Sequence, residues 1–329
     1  MRVEPDARES TEERSALALI ARTALERVGL EVSPQEAAHP AVIEAAHVAQ
    51  HILRSGPPAP ERLARLTGML DRARAGGTAA PAPGLPWPTG LAEPGPHLER
   101  GVARALKSVP DQSIESGVPH RSVVAGWRAP EKDAARRAVA LLESAWPGAA
   151  AELRTVLVQI ALLDGPAIDG FTDFTVHGAV FVRRDRLTPD GDGLPGPVRF
   201  AEALVHEGAH TRCNAASVAA RPFLRPVGGD GPVVATPLRL DPRPLTGLFQ
   251  QMVVLARSVL LYRRLLADDT GADDTGAAGA DPAVRARHDR LARSAVEAVD
   301  IMTRHRDALT DHGTAVLEDA AQVAAQVRV

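Results

Sequence analysis

Cysteine and aromatic residues are scarce in this chain of 329 residues. The single cysteine, Cys213, cannot close a disulfide within the chain, which is typical of a reducing compartment, and we therefore expect a cytoplasmic protein. Aromatic residues make up only 3%, so a core must be built mainly from Ala, Leu and Val. Hydrophobic residues make up 45% of the chain, which is enough for a sizeable core. Such an Ala- and Leu-rich composition favours helix over sheet.

The chain also lacks an excess of one charge and a long apolar run. Its net charge is −3 and it has no basic block, so we expect neither nucleic acid nor an anionic membrane as a partner. The acidic first residues are followed by no apolar segment of the kind found in secretory signals. The longest apolar tract, around residues 252–261, is interrupted by Arg257 and Ser258, which predicts a buried helix and no membrane span.

The most informative segment that is present is His206-Glu207-Gly208-Ala209-His210. It follows an apolar-periodic run, residues 200–205, that predicts a helix, with Pro197 near its start. Two histidines four residues apart lie on one face of a helix, where both rings can bind a single metal ion. Glu207 lies on a neighbouring part of that face, close enough to move a proton at a metal-bound water.

Apolar periodicity predicts a mainly α fold, a multi-helical metal-site domain with a short β-hairpin or small sheet before the motif helix. β-Branched and aromatic residues predict two strands, at 174–176 and 179–183. Outside the motif helix, the spacing predicts helices over residues 11–28, 41–53, 61–74, 98–109, 131–146, 149–163, 245–266, 282–309 and 314–326.

A tract rich in Gly, Pro and Ala divides the chain. Such a tract cannot continue a helix, so we interpret residues 78–97 as a linker or loop. It separates an N-terminal helical region, residues 1–77, from the metal-site region, residues 98–329. The two regions are expected to be separate or to pack as one domain.

A complete metal site needs a third protein ligand besides the two histidines. The long metzincin pattern is excluded, because Cys213 and Ala216 stand where it needs Gly and His. A glutamate on the next helix is also excluded, since the next Glu after Glu207 is Glu297. The open alternatives are Gln250, His177 and Asp241, with lower weight on Asp230, His288, His305 and His312.

Three segments resemble a known family of proteins with this His-Glu-x-x-His motif, which are found beside ribosomally synthesised peptide precursors. The segments are residues 204–212 around the motif, residues 178–182 (Gly-Ala-Val-Phe-Val) and residues 241–248 (Asp-Pro-Arg-Pro-Leu-Thr-Gly-Leu). Members of that family are regarded as iron(II)- and 2-oxoglutarate-dependent peptide β-hydroxylases. The resemblance extends in order and spacing from about residue 139 to the end of the chain.

The resemblance implies a peptide substrate, namely a precursor peptide, and the cofactors Fe(II) and 2-oxoglutarate. It also implies His206 and His210 as metal ligands. The family's third ligand is a histidine just after its Gly-x-Leu step, and the corresponding residue here is Gln250, preceded by Phe249. This implies a metal site of His206, His210 and Gln250.

Within this interpretation, the distal carboxylate of 2-oxoglutarate needs an arginine, because a guanidinium matches a carboxylate in shape and charge. Arg243 and Arg257 are the predicted cofactor-binding residues. Glu207 becomes a supporting group that orients a ligand or a water. Two alternatives remain: a zinc metallopeptidase with Zn(II) and Glu207 as general base, and a diverged, non-catalytic peptide-binding scaffold.

Overall fold

The computed structural model describes residues 1–56, 59–78, 87–88, 90–108, 121–226, 232–237, 242–268 and 281–326. This part of the chain is mainly helical, which confirms the predicted fold class. Its helices are α1 Ala7–Glu26, α2 Pro34–Ala37, α3 Pro40–Arg54, α4 Pro60–Ala75, α5 Pro96–Leu106, α6 Ala129–Ala145, α7 Pro147–Val156, α8 Gly196–Ala219, α9 Leu245–Asp268, α10 Pro282–Arg304 and α11 Asp311–Ala325.

Proline, which is abundant in the chain, marks where many of these helices begin. A proline at the first turn fits because that turn lacks partners for its N–H groups and because the ring fixes a helical φ. Prolines occupy this position at Pro34, Pro40, Pro60, Pro96, Pro147 and Pro282. The first helix begins differently: the Asp6 carboxylate accepts hydrogen bonds from the N–H groups of Arg8 and Glu9.

A small mixed sheet precedes the motif helix, as predicted. Its described strands are β1 Leu91–Ala92, β2 Val123–Ala125, β3 Gln159–Asp164, β4 Gly170–Thr172 and β5 Ala179–Arg183. The central strand β3 pairs in parallel with β1 and β5 and antiparallel with β2, while β4 pairs antiparallel with β5 at the sheet edge. Two further short strands, β6 Val233–Val234 and β7 Arg243–Pro244, pair with each other.

Two local predictions in this region are wrong. Residues 174–176 form a 3₁₀ turn, not a strand, because the Asp173 carboxylate accepts the Thr175 N–H at 2.8 Å. The predicted helix over residues 149–163 ends at Val156, and the chain then enters β3. The apolar run there is buried on both faces as a central strand, and such a run has no periodicity that separates strand from helix.

The motif helix α8 lies at the centre of the molecule. It packs against α1, α6, α7 and α9 and against strands β4 and β5. Helix α9, which carries the long apolar tract, is long and apolar enough to cross a membrane by composition, but 78% of its apolar window is buried inside the protein. It therefore packs as a core helix, with α10 on its other side.

The N-terminal helices are in direct contact with this central helix. Helix α1 packs on α3 and also on α7 and α8. The guanidinium of Arg212 on α8, which is fully buried, pairs with the carboxylates of Glu9 and Glu13 on α1. The N-terminal and metal-site regions thus share a buried interface, while most of the expected linker lies outside the described residues.

Candidate metal centre

The two motif histidines lie side by side on one stripe of α8. Their ring centroids are 5.2 Å apart, with the planes inclined at 61°, and both side chains are half-buried. Asn214, one turn further on, extends the same stripe. The rest of this part of α8 is buried, so the stripe is where the helix reaches the surface.

His206 is held in its neutral form. Burial lowers the pKa of His206 to about 3, and the nearby His210 and Arg186 contribute in the same direction. At neutral pH its ring therefore carries no charge and keeps a lone pair on one nitrogen. That is the form of imidazole that binds a metal ion.

His210 is oriented by an amide from the neighbouring helix α9. The side-chain oxygen of Gln250 lies 2.8 Å from Nδ1 of His210, and the Gln250 amide nitrogen donates to Asn214 Oδ1 at 3.0 Å. Since an amide oxygen only accepts, Nδ1 carries the proton in this contact and Nε2 is left as the ring's acceptor. The structure thus brings Gln250 to the predicted site, where its amide bonds to His210, a predicted metal ligand.

Glu207 is buried against the sheet edge. A Cβ added at Gly170, the first residue of β4, would stand 2.9 Å from Glu207 Oε1 and 3.2 Å from the carbonyl oxygen of Phe181. Only a glycine at this position lets the carboxylate approach the strand so closely. The backbone carbonyl of Glu207 also accepts the hydroxyl of Thr211 at 2.9 Å. The carboxylate therefore lies in close contact with β4, between that strand and α8.

A buried carboxylate that the sequence predictions did not include stands one turn before His206. Glu202 accepts the hydroxyl of Tyr262 on α9 at 2.6 Å and is paired with the guanidinium of Arg287 on α10. The sequence could have indicated Glu202 as a neighbour of the site, because residues four apart, such as Glu202 and His206, share a helix face. This triad fixes α8, α9 and α10 relative to each other at the metal-site end.

A second charged pair near His206 joins the turn after β5 to the loop before β4. Arg186 pairs with Asp169, and the charges of both residues act on the pKa of His206. Arg183 lies 3.2 Å from the same aspartate. No local pattern in the sequence indicates this cluster, because it depends on how the sheet packs on α8.

Arg257 lies in a different environment from the one predicted for a 2-oxoglutarate contact. Its guanidinium is paired with Glu152 on α7, and its Nε and Nη2 donate to the carbonyls of Val3 and Arg2 at 2.9 and 3.1 Å. Both Arg257 and Glu152 are almost completely buried, at 3% and 1% side-chain exposure. All three guanidinium nitrogens have acceptors away from the histidines. Arg257 follows Gln250 by seven residues, which is about two turns or ~10 Å along α9, and at that level the helix faces α7 and the N-terminal segment.

The other predicted cofactor residue, Arg243, lies on β7 directly before α9 and is half-buried. It therefore stands at the end of α9 from which Gln250 reaches His210. Its aliphatic part lies beside Gly247, where an added Cβ would be 3.5 Å from Arg243 Cβ.

The remaining third-ligand alternatives are not brought to the histidines by the described structure. His177 is buried in a separate cavity, with its ring 5.8 Å from that of Phe174, and it faces His47 of α3. Asp241 and Asp230 lie outside the described residues. Within the ranges that the structure covers, no three His, Cys, Asp or Glu side chains are grouped closely enough to hold a metal ion.

No protein-family model matches the chain, and no curated protein matches it. The resemblance to peptide β-hydroxylases therefore rests on the three sequence segments alone.

Proposed function

We propose that the protein is an iron(II)- and 2-oxoglutarate-dependent hydroxylase acting on a peptide. The observation that supports this best is the contact between Gln250 and His210, together with the neutral state of His206. A neutral imidazole at His206 and a second imidazole at His210 that is oriented through Nδ1, both on one helix face, match the way in which proteins prepare histidines as metal ligands.

The donor set fits a first-row transition metal, because imidazole nitrogen suits iron and zinc. With iron bound, the overall reaction inserts one oxygen atom of O₂ into a peptide C–H bond and the other into succinate, with release of CO₂ from 2-oxoglutarate. His206 and His210 hold the ion in this proposal, and Gln250 keeps the His210 ring in place. The described residues supply these two imidazoles, and the third ligand stays a prediction, with Gln250 and Asp241 as its alternatives, because His177 lies in a separate cavity.

Arg243 is the arginine that we assign to the distal carboxylate of 2-oxoglutarate. It stands at the end of α9 that carries Gln250. The guanidinium of Arg257, in contrast, forms a buried ion pair with Glu152. A guanidinium can pair with a carboxylate through two parallel hydrogen bonds, which fixes the orientation of the bound acid.

The edge of the sheet supports a peptide as the substrate. Among the described strands, β4 pairs with β5 on one side only, and it lies directly against α8 beside Glu207. An extended peptide can add to such an edge through main-chain hydrogen bonds, which present alternate side chains to the neighbouring site. A substrate strand on β4 would place its side chains next to the histidine stripe.

The same edge also favours the second candidate, a zinc metallopeptidase. Glu207 follows His206 directly and lies against β4, and a carboxylate at this position of the motif is the general base for a metal-bound water in such peptidases. The difference between the two functions then lies in the metal and in what Glu207 does.

Metal analysis of protein purified without oxygen separates these functions. Bound iron with conversion of 2-oxoglutarate to succinate, both lost in His206→Ala and retained in the control His51→Ala, is the expected result. Bound zinc with peptide cleavage that Glu207→Gln abolishes would establish the peptidase instead. If the protein binds no metal and His206→Ala changes no activity, only a non-catalytic peptide-binding scaffold remains.

A further inference from the structure

A second cavity, of about 610 Å³, lies between α1, α2 and the end of α7. Its volume is within the range of small-ligand pockets, roughly 300–1,000 Å³. Three arginines, Arg14, Arg22 and Arg154, line it, and no acidic side chain does. It shares no lining residue with the histidine stripe or with the charged clusters beside it. The cavity is therefore a separate, positively charged site.

Arg14 is the unusual member of this group. It is half-buried, and its Nη1 donates a hydrogen bond to the carbonyl of Thr155 at 3.1 Å. Among the described residues, no carboxylate lies within ion-pair distance of it, and burial lowers the pKa of Arg14. The buried Arg212 and Arg257 are both paired with carboxylates. A guanidinium removed from water without a counter-ion is costly, so an anion in the cavity would relieve that cost.

The other two arginines are each paired with a carboxylate that lies outside the cavity wall. Arg22 pairs with Glu26 at 3.2 Å and Arg154 with Glu143 at 2.5 Å, and these acids are not part of the lining. Between the cations, the wall contains both apolar and polar side chains that suit the carbon skeleton and oxygens of an organic acid: Ala18, Leu19, Ser15 and Gln35.

We propose that this cavity binds a ligand carrying two or more carboxylate groups. Arg14 and Arg22 are eight residues apart on α1, about 12 Å along the helix axis, and Arg154 stands on another helix, so the three cations are distributed around the cavity wall and suit more than one carboxylate. Each guanidinium matches one carboxylate in shape and charge, and the apolar wall between them accepts the connecting carbons. These carboxylates belong either to a small polycarboxylic acid or to a peptide with several acidic side chains. The proposal does not depend on the metal centre.

Isothermal titration of the full chain tests this proposal with three probes: tricarballylate, a short peptide of alternating Glu and Ala, and inorganic phosphate. We expect tricarballylate or the peptide to bind, and Arg14→Gln to weaken that binding at least tenfold. The matched control is Arg8→Gln, on the same helix but outside the cavity, where the side chain is 90% exposed. His206→Ala should bind the probe as the unmodified protein does, which separates this site from the metal centre.

Which of the two carboxylate probes binds identifies the source of the ligand. Binding of phosphate alone would overturn the assignment to a carboxylate ligand, and binding of no probe would overturn the site. Unchanged binding in Arg14→Gln would overturn the role of this arginine. Thermal unfolding checks that the Arg14→Gln variant is folded. Because Arg14 has no carboxylate partner in the described structure, this variant should have a melting temperature no lower than that of the unmodified protein.

Discussion

The side-chain oxygen of Gln250 lies 2.8 Å from Nδ1 of His210, across the interface between α9 and α8. The sequence placed Gln250 at the third-ligand position of the resembled family. In the structure its amide is engaged at both ends, on His210 and on Asn214. This arrangement favours an orienting role for Gln250, in which its amide fixes the His210 ring through Nδ1.

Replacing Gln250 distinguishes the two roles. We expect Gln250→Leu to weaken iron(II) or zinc(II) affinity by about 10- to 100-fold, the usual effect of losing a hydrogen-bond partner of a ligand histidine. Competition with a chromophoric chelator measures this affinity. Gln251→Leu is the matched control, since that neighbouring side chain donates to the carbonyl of Pro237. Loss of metal binding as complete as in His206→Ala would show that Gln250 is itself a ligand.

Replacing Arg257 should mainly lower the stability of the protein, whereas replacing Arg243 should mainly affect 2-oxoglutarate binding. Arg257→Gln leaves the buried Glu152 without one of its cations, and breaking a buried ion pair costs about 3–5 kcal/mol. We therefore expect a large loss in the free energy of unfolding, measured with urea. Arg243→Gln should lose 2-oxoglutarate binding, with a smaller loss of stability because its side chain is only half-buried. A stable Arg257→Gln protein that no longer binds 2-oxoglutarate would restore Arg257 as the cofactor residue.

Gly170 controls the position of Glu207. In Gly170→Ala the new Cβ would meet both the Glu207 carboxylate and the Phe181 carbonyl, so the strand or the carboxylate must move. We expect a loss of activity and a destabilisation of about 1–3 kcal/mol, typical of overpacking. Gly191→Ala is the control, because no atom lies within 4 Å of its added Cβ. Unchanged activity in Gly170→Ala would mean that the position of Glu207 is not critical.

His39 makes the N-terminal region sensitive to acid. Its Nδ1 accepts the N–H of Ala41 at 3.3 Å as the N-cap of α3, and burial, with the charges of His97 and Arg14, lowers the pKa of His39 to about 4. An unfolded histidine titrates near pH 6.5. Between about pH 6.5 and 4 the unfolded chain therefore binds a proton that the folded chain does not, and stability falls as the pH falls.

We expect the melting temperature to drop through this pH window and to drop less steeply in His39→Asn. Asparagine retains an N-cap acceptor but does not titrate. Circular dichroism at a series of pH values measures the slope. His51→Asn, an exposed position on the same helix, should keep the slope of the unmodified protein. An equal slope in His39→Asn would assign the acid sensitivity to other groups.

The sequence predicted more about helices than about strands. Helices α3 and α4 begin and end within one residue of the periodic patterns, since amphipathic spacing and an initial proline are local signals. Strand β3 was interpreted as helix, because a short, wholly apolar run carries no periodicity. The 3₁₀ turn at residues 174–176 was missed because its cap, Asp173, outweighed the β-propensity of Phe, Thr and Val.

The sequence by itself determined that His206 and His210 share a helix face, because the helical period alone puts residues four apart on one side. It also determined the class of core, through the scarcity of aromatics and the abundance of Ala and Leu. Only the tertiary structure decided that Gln250, 40 residues away, bonds to His210, and that Arg257 turns to Glu152. Such partners depend on how separate helices pack, and no local pattern in the chain encodes that packing.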